Sequence, residues 1–269
     1  MAGLSNSLSV LGIGLRLGFR QTMQQKILFV GAFLVYATIM VFYAGIIKMI
    51  SPADLAKHGY SHAQLIWYLA ITEYMLFSCV SWVFKEVQSD FHSGQMSLSL
   101  LRPYPTSLTR VSIWCGEALA RLLVLFVPMM GITALLAGAF VMTPLQTVGM
   151  VLSLPLGAVI TECAFYMIGA SCLWFAQAEP ASWVWQKAVF LFGAMIWPMA
   201  FYPLWMKGIM WATPFPAVLA AAGSWALHHS ALYYALAFLH QVFWAAAFLA
   251  LLRWFDGVIM RKIQSGEGA

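Results

Sequence analysis

Lys85 to Ser112, KEVQSDFHSGQMSLSLLRPYPTSLTRVS, is the longest polar interruption in an otherwise apolar chain. It holds Lys85, Glu86, Asp90, Arg102 and Arg110, and each flank is long enough to cross a bilayer. Inside it, His92-Ser93-Gly94 signals a turn and Gln95 to Leu101 suits a short helix. Arg102-Pro103 stops that helix, because proline cannot continue a helix and pushes the preceding residue to extended geometry. The stretch reads as turn, short helix and stiff Pro-Tyr-Pro exit, a structured loop between two membrane spans.

The composition supports that frame. Of 269 residues, 62% are hydrophobic and 9% charged, against about 25% charged in soluble domains. This is the composition of an integral membrane protein. The net charge of +5 fits cytoplasmic loops meeting anionic lipid better than nucleic acid. Cys79, Cys115, Cys163 and Cys172 lie in apolar segments without CxxC spacing and read as packing residues. The N-terminus lacks the charge, apolar core and cleavage-site pattern of a signal peptide.

Residues 1–26 are expected to form an N-terminal amphipathic interfacial helix. Leu8, Leu11, Leu15, Phe19 and Met23 repeat at helical spacing beside a polar stripe of Ser9, Arg16, Arg20 and Gln24. A plain extension of the first span is the other reading. Spans of about 20 apolar residues are predicted near 27–50, 64–84, 113–141, 148–176, 184–206 and 231–253. From Val184 to Leu252 the only charged residues are Lys187 and Lys207. That run is too long for two spans and long enough for three, but three would carry Arg253, Arg261 and Lys262 outside, against the positive-inside tendency. Six spans with both termini cytoplasmic leave only Lys48, Lys57 and Lys207 of the 14 Lys and Arg outside. Residues 206–230 must then stay at the outer face. The Thr213-Pro214-Phe215-Pro216 break splits them into two half-helices, predicting an outer re-entrant helical hairpin. Irregular backbone at that depth needs protein or a wet cavity around it. Pro198 and Pro203 are expected to bend the span before it. The fold class is therefore all-α integral membrane: the interfacial helix, a six-span domain over 27–253 with a cytoplasmic loop at 85–112, and a cytoplasmic tail over 254–269.

Enzyme motifs are missing. No GxxxxGK[ST] phosphate loop, HExxH or GxSxG occurs. His228-His229 has no nearby carboxylate or cysteine to complete a metal set; both are read as solvated interfacial residues, with no metal. Glu117 and Arg121 stand i, i+4 and are expected to neutralise each other. Glu73 and Glu162 lie mid-span without an in-helix partner, at a cost of about 2.5–3.5 kcal/mol on insertion scales. Each must meet a partner, hydrogen-bond as the neutral acid, or line a wet cavity. Glu162 shares a face with Ala158, Tyr166 and Gly169, suited to close packing or to a cavity. Structural and substrate-facing roles remain open for both acids. Trp67, Trp82, Trp114, Trp174, Trp183, Trp185, Trp205 and Trp211 sit near predicted span ends; an aromatic belt explains most of them, and a cation-binding aromatic wall is the other reading.

Six spans, an amphipathic first helix, a cytoplasmic second loop and an outer hairpin together resemble the permease subunits of bacterial ABC type-2 exporters. The branch resembled has an acidic residue, then SGQ, then a leucine-rich run ending in LLRP, and is associated with viologen-like organic cations. Here those residues are Glu86, Ser93-Gly94-Gln95 and Ser97-Leu98-Ser99-Leu100-Leu101-Arg102-Pro103. The Thr213-Pro214-Phe215 break adds to the likeness, with Pro214 and Pro216 as the residues of the expected hairpin. The resemblance implies a coupling loop that docks on a separate ABC ATPase through Glu86, Asp90, Gly94, Gln95, Leu98, Leu100, Leu101, Arg102 and Pro103. Arg16 and Arg20 would lie at the N-terminal interface. It implies two ATPase copies carrying ATP and Mg, no cofactor on this chain, and a second homologous permease, a heterodimer being favoured over a homodimer. It also implies the bacterial cytoplasmic (inner) membrane and contact with membrane lipids. An amphipathic organic cation or drug would meet Glu73, Glu162, Tyr166 and Trp197; lipids, glycolipids and peptides are alternative cargoes. A membrane enzyme using Glu162 or His240, or a scaffold without a transport cycle, is the competing class.

Overall fold

The computed structural model describes residues 2–79, 82–99 and 104–265, with the side chains of 2–8 and 99 left aside. Leu100, Leu101, Arg102 and Pro103 lie outside the described residues. Among those described the chain is helical, without a strand. Five segments are long and apolar enough to cross a bilayer: Lys26–Lys48, His62–His92, Thr106–Ala137, Pro144–Leu173 and Ala231–Gln264.

Polarity decides which helix is central. Helix α1 (Ala2–Met23) precedes α2 (Lys26–Lys48), which has no internal polar residue beyond Tyr36, Thr38 and Tyr43. It buries one stripe, Tyr36, Met40, Ala44 and Ile47, and turns Ile27, Val30 and Phe42 outward. A short α3 (Pro52–Lys57) leads to α4 (His62–Ser78), which carries Gln64, Thr72 and Glu73. Every α4 residue from Gln64 to Met75 is buried. In lipid, polar groups must be satisfied by protein, so the most polar span becomes the axis and the least polar faces the hydrocarbon. A Ser61–Gln64 capping box satisfies the α4 start.

Helix α1 packs through a face absent from the sequence expectation. Its buried residues are Gly14, Gly18 and Thr22, at i, i+4, i+8, against α7 (Thr106–Ala137). A Cβ at Gly14 would overlap Ser112 Oγ, and one at Gly18 the Ile113 carbonyl oxygen. One at Gly116 would overlap the Leu15 carbonyl oxygen. The two backbones touch, so dispersion replaces the hydrophobic effect as the source of attraction. Arg16 and Arg20 of the predicted polar stripe are exposed, but so are Leu15 and Met23 of the predicted apolar one.

Between α4 and α7 lie α5 (Val83–His92) and α6 (Gln95–Ser99). The next helix, α8 (Pro144–Ala170), opens on a Thr143–Gln146 capping box. The predicted span 184–206 is not one continuous helix. Helix α9 (Glu179–Phe192) has 14 residues, about 21 Å at 1.5 Å per residue, short of the roughly 30 Å hydrocarbon core. It stops at Gly193, where Ala194 takes φ 53°. Pro198 and Pro203 then frame a single 3-10 turn before α10 (Leu204–Ala212). The carbonyls freed at this break are met by α4: the Tyr68 hydroxyl donates to Ala194 O, and Thr72 Oγ1 to Met195 O at 2.7 Å.

The break expected at Thr213-Pro214 is present. After it, α11 (Phe215–Val218) and α12 (Ala220–Gly223) are almost wholly buried, Pro216 included. They pack on α4, α8, α9 and α13 (Ala231–Gln264). Gln241 Nε2 donates to Ala217 O at 2.8 Å and to Ser153 O at 2.9 Å, and Gln146 Nε2 reaches Leu227 O at 3.1 Å. Side-chain amides thus replace the missing helical ladder.

Other expectations shift. Residues 254–264 continue α13, because Ile259 keeps its inward stripe, so the predicted tail is largely helix. Helix α7 starts at Thr106, inside the predicted loop. Trp67 and Trp114 are fully buried core residues, with Trp67 Nε1 donating to Ala139 O at 2.7 Å, so they leave the predicted belt. His229 stacks on Tyr233 with ring centroids 4.0 Å apart and is half-buried, so it is not a solvated residue.

Candidate functional site

The loop forms a platform fixed on three sides. Val83, Phe84 and Val87 form the buried stripe of α5, which lies on α8. Gly169 of α8 admits it: a Cβ there would stand 2.6 Å from Phe84 O and 2.7 Å from the Val87 Cβ. On the α7 side, Arg110 pairs with Asp90 and reaches Glu86 at 3.4 Å. Glu86 and Asp90 are one turn apart on α5, so one guanidinium serves both. On the α9 side, Lys85 Nζ meets Glu179 at 2.7 Å, and the Ala178 N–H donates to Gln88 Oε1 at 3.0 Å.

After α5 the chain reverses at Gly94, with φ +73°, a conformation that L side chains rarely adopt. Helix α6 then anchors through Met96, which is buried, and turns Gln95 and Leu98 outward, Leu98 being 67% exposed. Of the residues expected to dock a partner, Asp90 is therefore engaged within the chain. Glu86 is engaged in part, with its side chain 55% exposed, while Gln95 and Leu98 are outward.

The mid-span candidates lie elsewhere and do not converge. Glu73 and Glu162 are both buried inside the protomer. Glu162 of α8 lies within electrostatic reach of Arg121 on α7 and of Cys79, Cys115 and Cys163. Arg121 stands 3.9 Å from Glu117, so the expected in-helix pair is loose and Arg121 also faces across to α8. Tyr166 is buried against Trp114 and beside Asp256 of α13. Trp197 belongs to the segment after α9, its ring tilted against that of Phe201 at 5.7 Å between centroids.

Sequence reasoning missed Arg110 as the clamp, the Lys85–Glu179 tie and the Gly14–Gly18 face. Two signals were available: the i, i+4 acids Glu86 and Asp90, and the Gly-x-x-x-Gly spacing at 14–18.

The fold and platform define a class: a polytopic membrane protein, helical in its described residues, whose α5 at the end of the second long segment is tied to its neighbours by charge pairs. The sequence profile described as ABC-2 family transporter protein matches residues 33–265, and the chain belongs to that family. It is thus a membrane component of an ABC transporter, a class that works with an ABC ATPase subunit. Comparison with curated proteins finds no match.

Proposed function

We propose that this chain is the permease subunit of an ATP-driven exporter and that residues 86–103 receive the thrust of a separate ATPase. One observation carries the reading. The α5–α6 platform is tied to α7, α8 and α9 at once, yet presents Gln95 and Leu98 outward. A push on α6 therefore reaches three spans through short rigid contacts. Glu86, Leu100, Leu101, Arg102 and Pro103 are assigned to ATPase docking as well, and Arg16 and Arg20 of α1 to the N-terminal interface. Two ATPase copies hold ATP and Mg.

The chain crosses the inner membrane six times with both termini cytoplasmic, the fifth crossing being α9 with its broken extension. Two contacts support this: Glu179 pairs with Lys85 beyond the end of α4, while His228 meets Gln64 at its start. The chain from 179 to 228 thus traverses the length of α4. Residues 206–230 act as the outer re-entrant hairpin. Helix α9 exposes Gln186 and Lys187 within an apolar segment, where lipid contact is costly. A second permease, in a heterodimer, covers that face. The cargo is an amphipathic organic cation. Glu73, Glu162, Tyr166 and Trp197 meet it only when the helices around the two buried acids separate.

The test is co-purification of the native complex with its ATPase. Leu98→Asp, or Leu100 and Leu101 both to Asp, is expected to abolish ATPase capture while the permease stays monodisperse, and Arg102→Glu to abolish substrate-stimulated ATP hydrolysis. Undiminished capture by the leucine variants would overturn the coupling reading.

A further inference from the structure

A cavity of about 800 Å³ lies beside the exit of the loop, between α1, Tyr104 and the first turns of α7, and the last turns of α13. Most of its wall is aliphatic, with Leu11 and Leu15 from α1, Val111 and Val159, and Leu249 and Leu252 from α13. Two charged groups of opposite sign interrupt it, Arg253 and Asp256, three residues apart on α13. That spacing puts both on one helical face. Ser107 Oγ donates to the Asp256 carboxylate, and the Tyr166 hydroxyl stands beside it. Among the described residues, neither Arg253 nor Asp256 takes part in an ion pair. A carboxylate and a guanidinium thus share an oily cleft without neutralising each other.

We infer that this cleft is a binding site for a zwitterionic aminophospholipid from the leaflet on the loop side. The ammonium of the headgroup donates to Asp256, the phosphate accepts from Arg253, and the acyl chains lie along Leu11, Leu15, Leu249 and Leu252. Each part of the cleft selects against another occupant. An anionic phospholipid without an amine satisfies Arg253 but leaves the Asp256 carboxylate facing oil with no counter-charge. A choline headgroup carries the positive charge but has no N–H to donate. A lone organic cation leaves Arg253 without its anion. The volume falls in the range of small-ligand sites, about 300–1,000 Å³, enough for a headgroup and the first part of its chains. This site goes beyond the transport reading and needs only that α13 ends in a bilayer.

The experiment is native mass spectrometry of the full-length chain in its purified complex. The sample is stripped of lipid and then offered equal amounts of phosphatidylethanolamine, phosphatidylglycerol and phosphatidylcholine. The wild type is expected to retain phosphatidylethanolamine preferentially. Asp256→Asn keeps the hydrogen bond to Ser107 but loses the charge, and its retention of that lipid is expected to fall about tenfold, the scale of one charge-assisted hydrogen bond. Arg253→Gln, on the exposed side of the cleft, is expected to lose a similar factor. Should Asp256→Asn fail to fold, Arg253→Gln and the wild-type competition still decide. Equal retention of all three lipids by the wild type, or unchanged retention in both variants, would overturn the inference. So would a disulfide between a cysteine at position 249 and a second permease, which would show the cleft filled by protein.

Discussion

Arg110 carries more of the platform than any other side chain. It is about two-thirds buried and answers Asp90, whose side chain is 12% exposed, while Glu86 remains half in solvent. Removing the guanidinium strands Asp90 without its counter-charge, so the cost is mainly that of an unpaired, partly buried carboxylate. Arg110→Ala is expected to destabilise the protein by about 1–2 kcal/mol, after allowance for solvent screening, read as a lower midpoint of SDS-induced unfolding. Glu86→Gln should cost less than Asp90→Asn; the reverse order would place the main contact on the wrong acid. At the opposite end, burial and the neighbouring His228 push the His229 imidazole down to about 4 from its usual 6.5. The unfolded chain therefore binds the proton first as pH falls. Stability from neutral His229 is complete above about pH 6.5 and is lost progressively between 6.5 and 4. His229→Phe is expected to flatten that part of the stability–pH curve, and an unchanged curve would assign the acid sensitivity elsewhere.

At the scale of elements, the α1–α7 crossing depends on the absence of side chains. Gly18→Ala places a methyl group on the Ile113 carbonyl oxygen, an overlap with backbone that a rotamer change cannot relieve. A loss of about 1–3 kcal/mol is expected, the usual range for overpacking, and Gly18→Leu should detach α1 altogether. Limited proteolysis after α1 would report it: rapid cleavage near Gln24 in Gly18→Leu, slow in the wild type. Gly12 and Gly31 have open space around their Cα atoms, so alanine there should be silent. The broken α9–α10 region follows the converse rule. Its irregular backbone persists because Tyr68 and Thr72 supply donors that a regular helix would not need.

For the whole molecule, the number of crossings fixes the side on which residues 206–230 emerge. With six, a single cysteine at exposed His228 reacts with a membrane-impermeant maleimide in intact cells, and one at Gln95 reacts only after permeabilisation. With five, both react from inside only. The parts of this architecture differed in how far they could be read ahead. The loop's turn at Gly94, the short helix after it and the Thr213-Pro214 break were legible, because glycine and proline act through their own backbone. The break inside the 184–206 segment at Gly193–Ala194 was not foreseen, because apolar composition reports the solvent of a segment, not whether its helix is continuous. Glu73 and Glu162 were recognised as costly in lipid, but their neighbours lie on other helices and no periodicity names them.

From sequence alone came the membrane class, the polar loop, the helical punctuation and the acids that need partners. Each of these is a property of neighbouring residues: hydropathy summed over a window, a backbone dihedral, a charge in the wrong solvent. Only the tertiary structure decided that α4 is the axis, that glycines seat α1, that Arg110 and Glu179 hold the platform, and that Arg253 and Asp256 share one cleft. Those outcomes depend on which helices touch, and among uniformly apolar helices the choice rests on shape and a few polar contacts far apart in the chain.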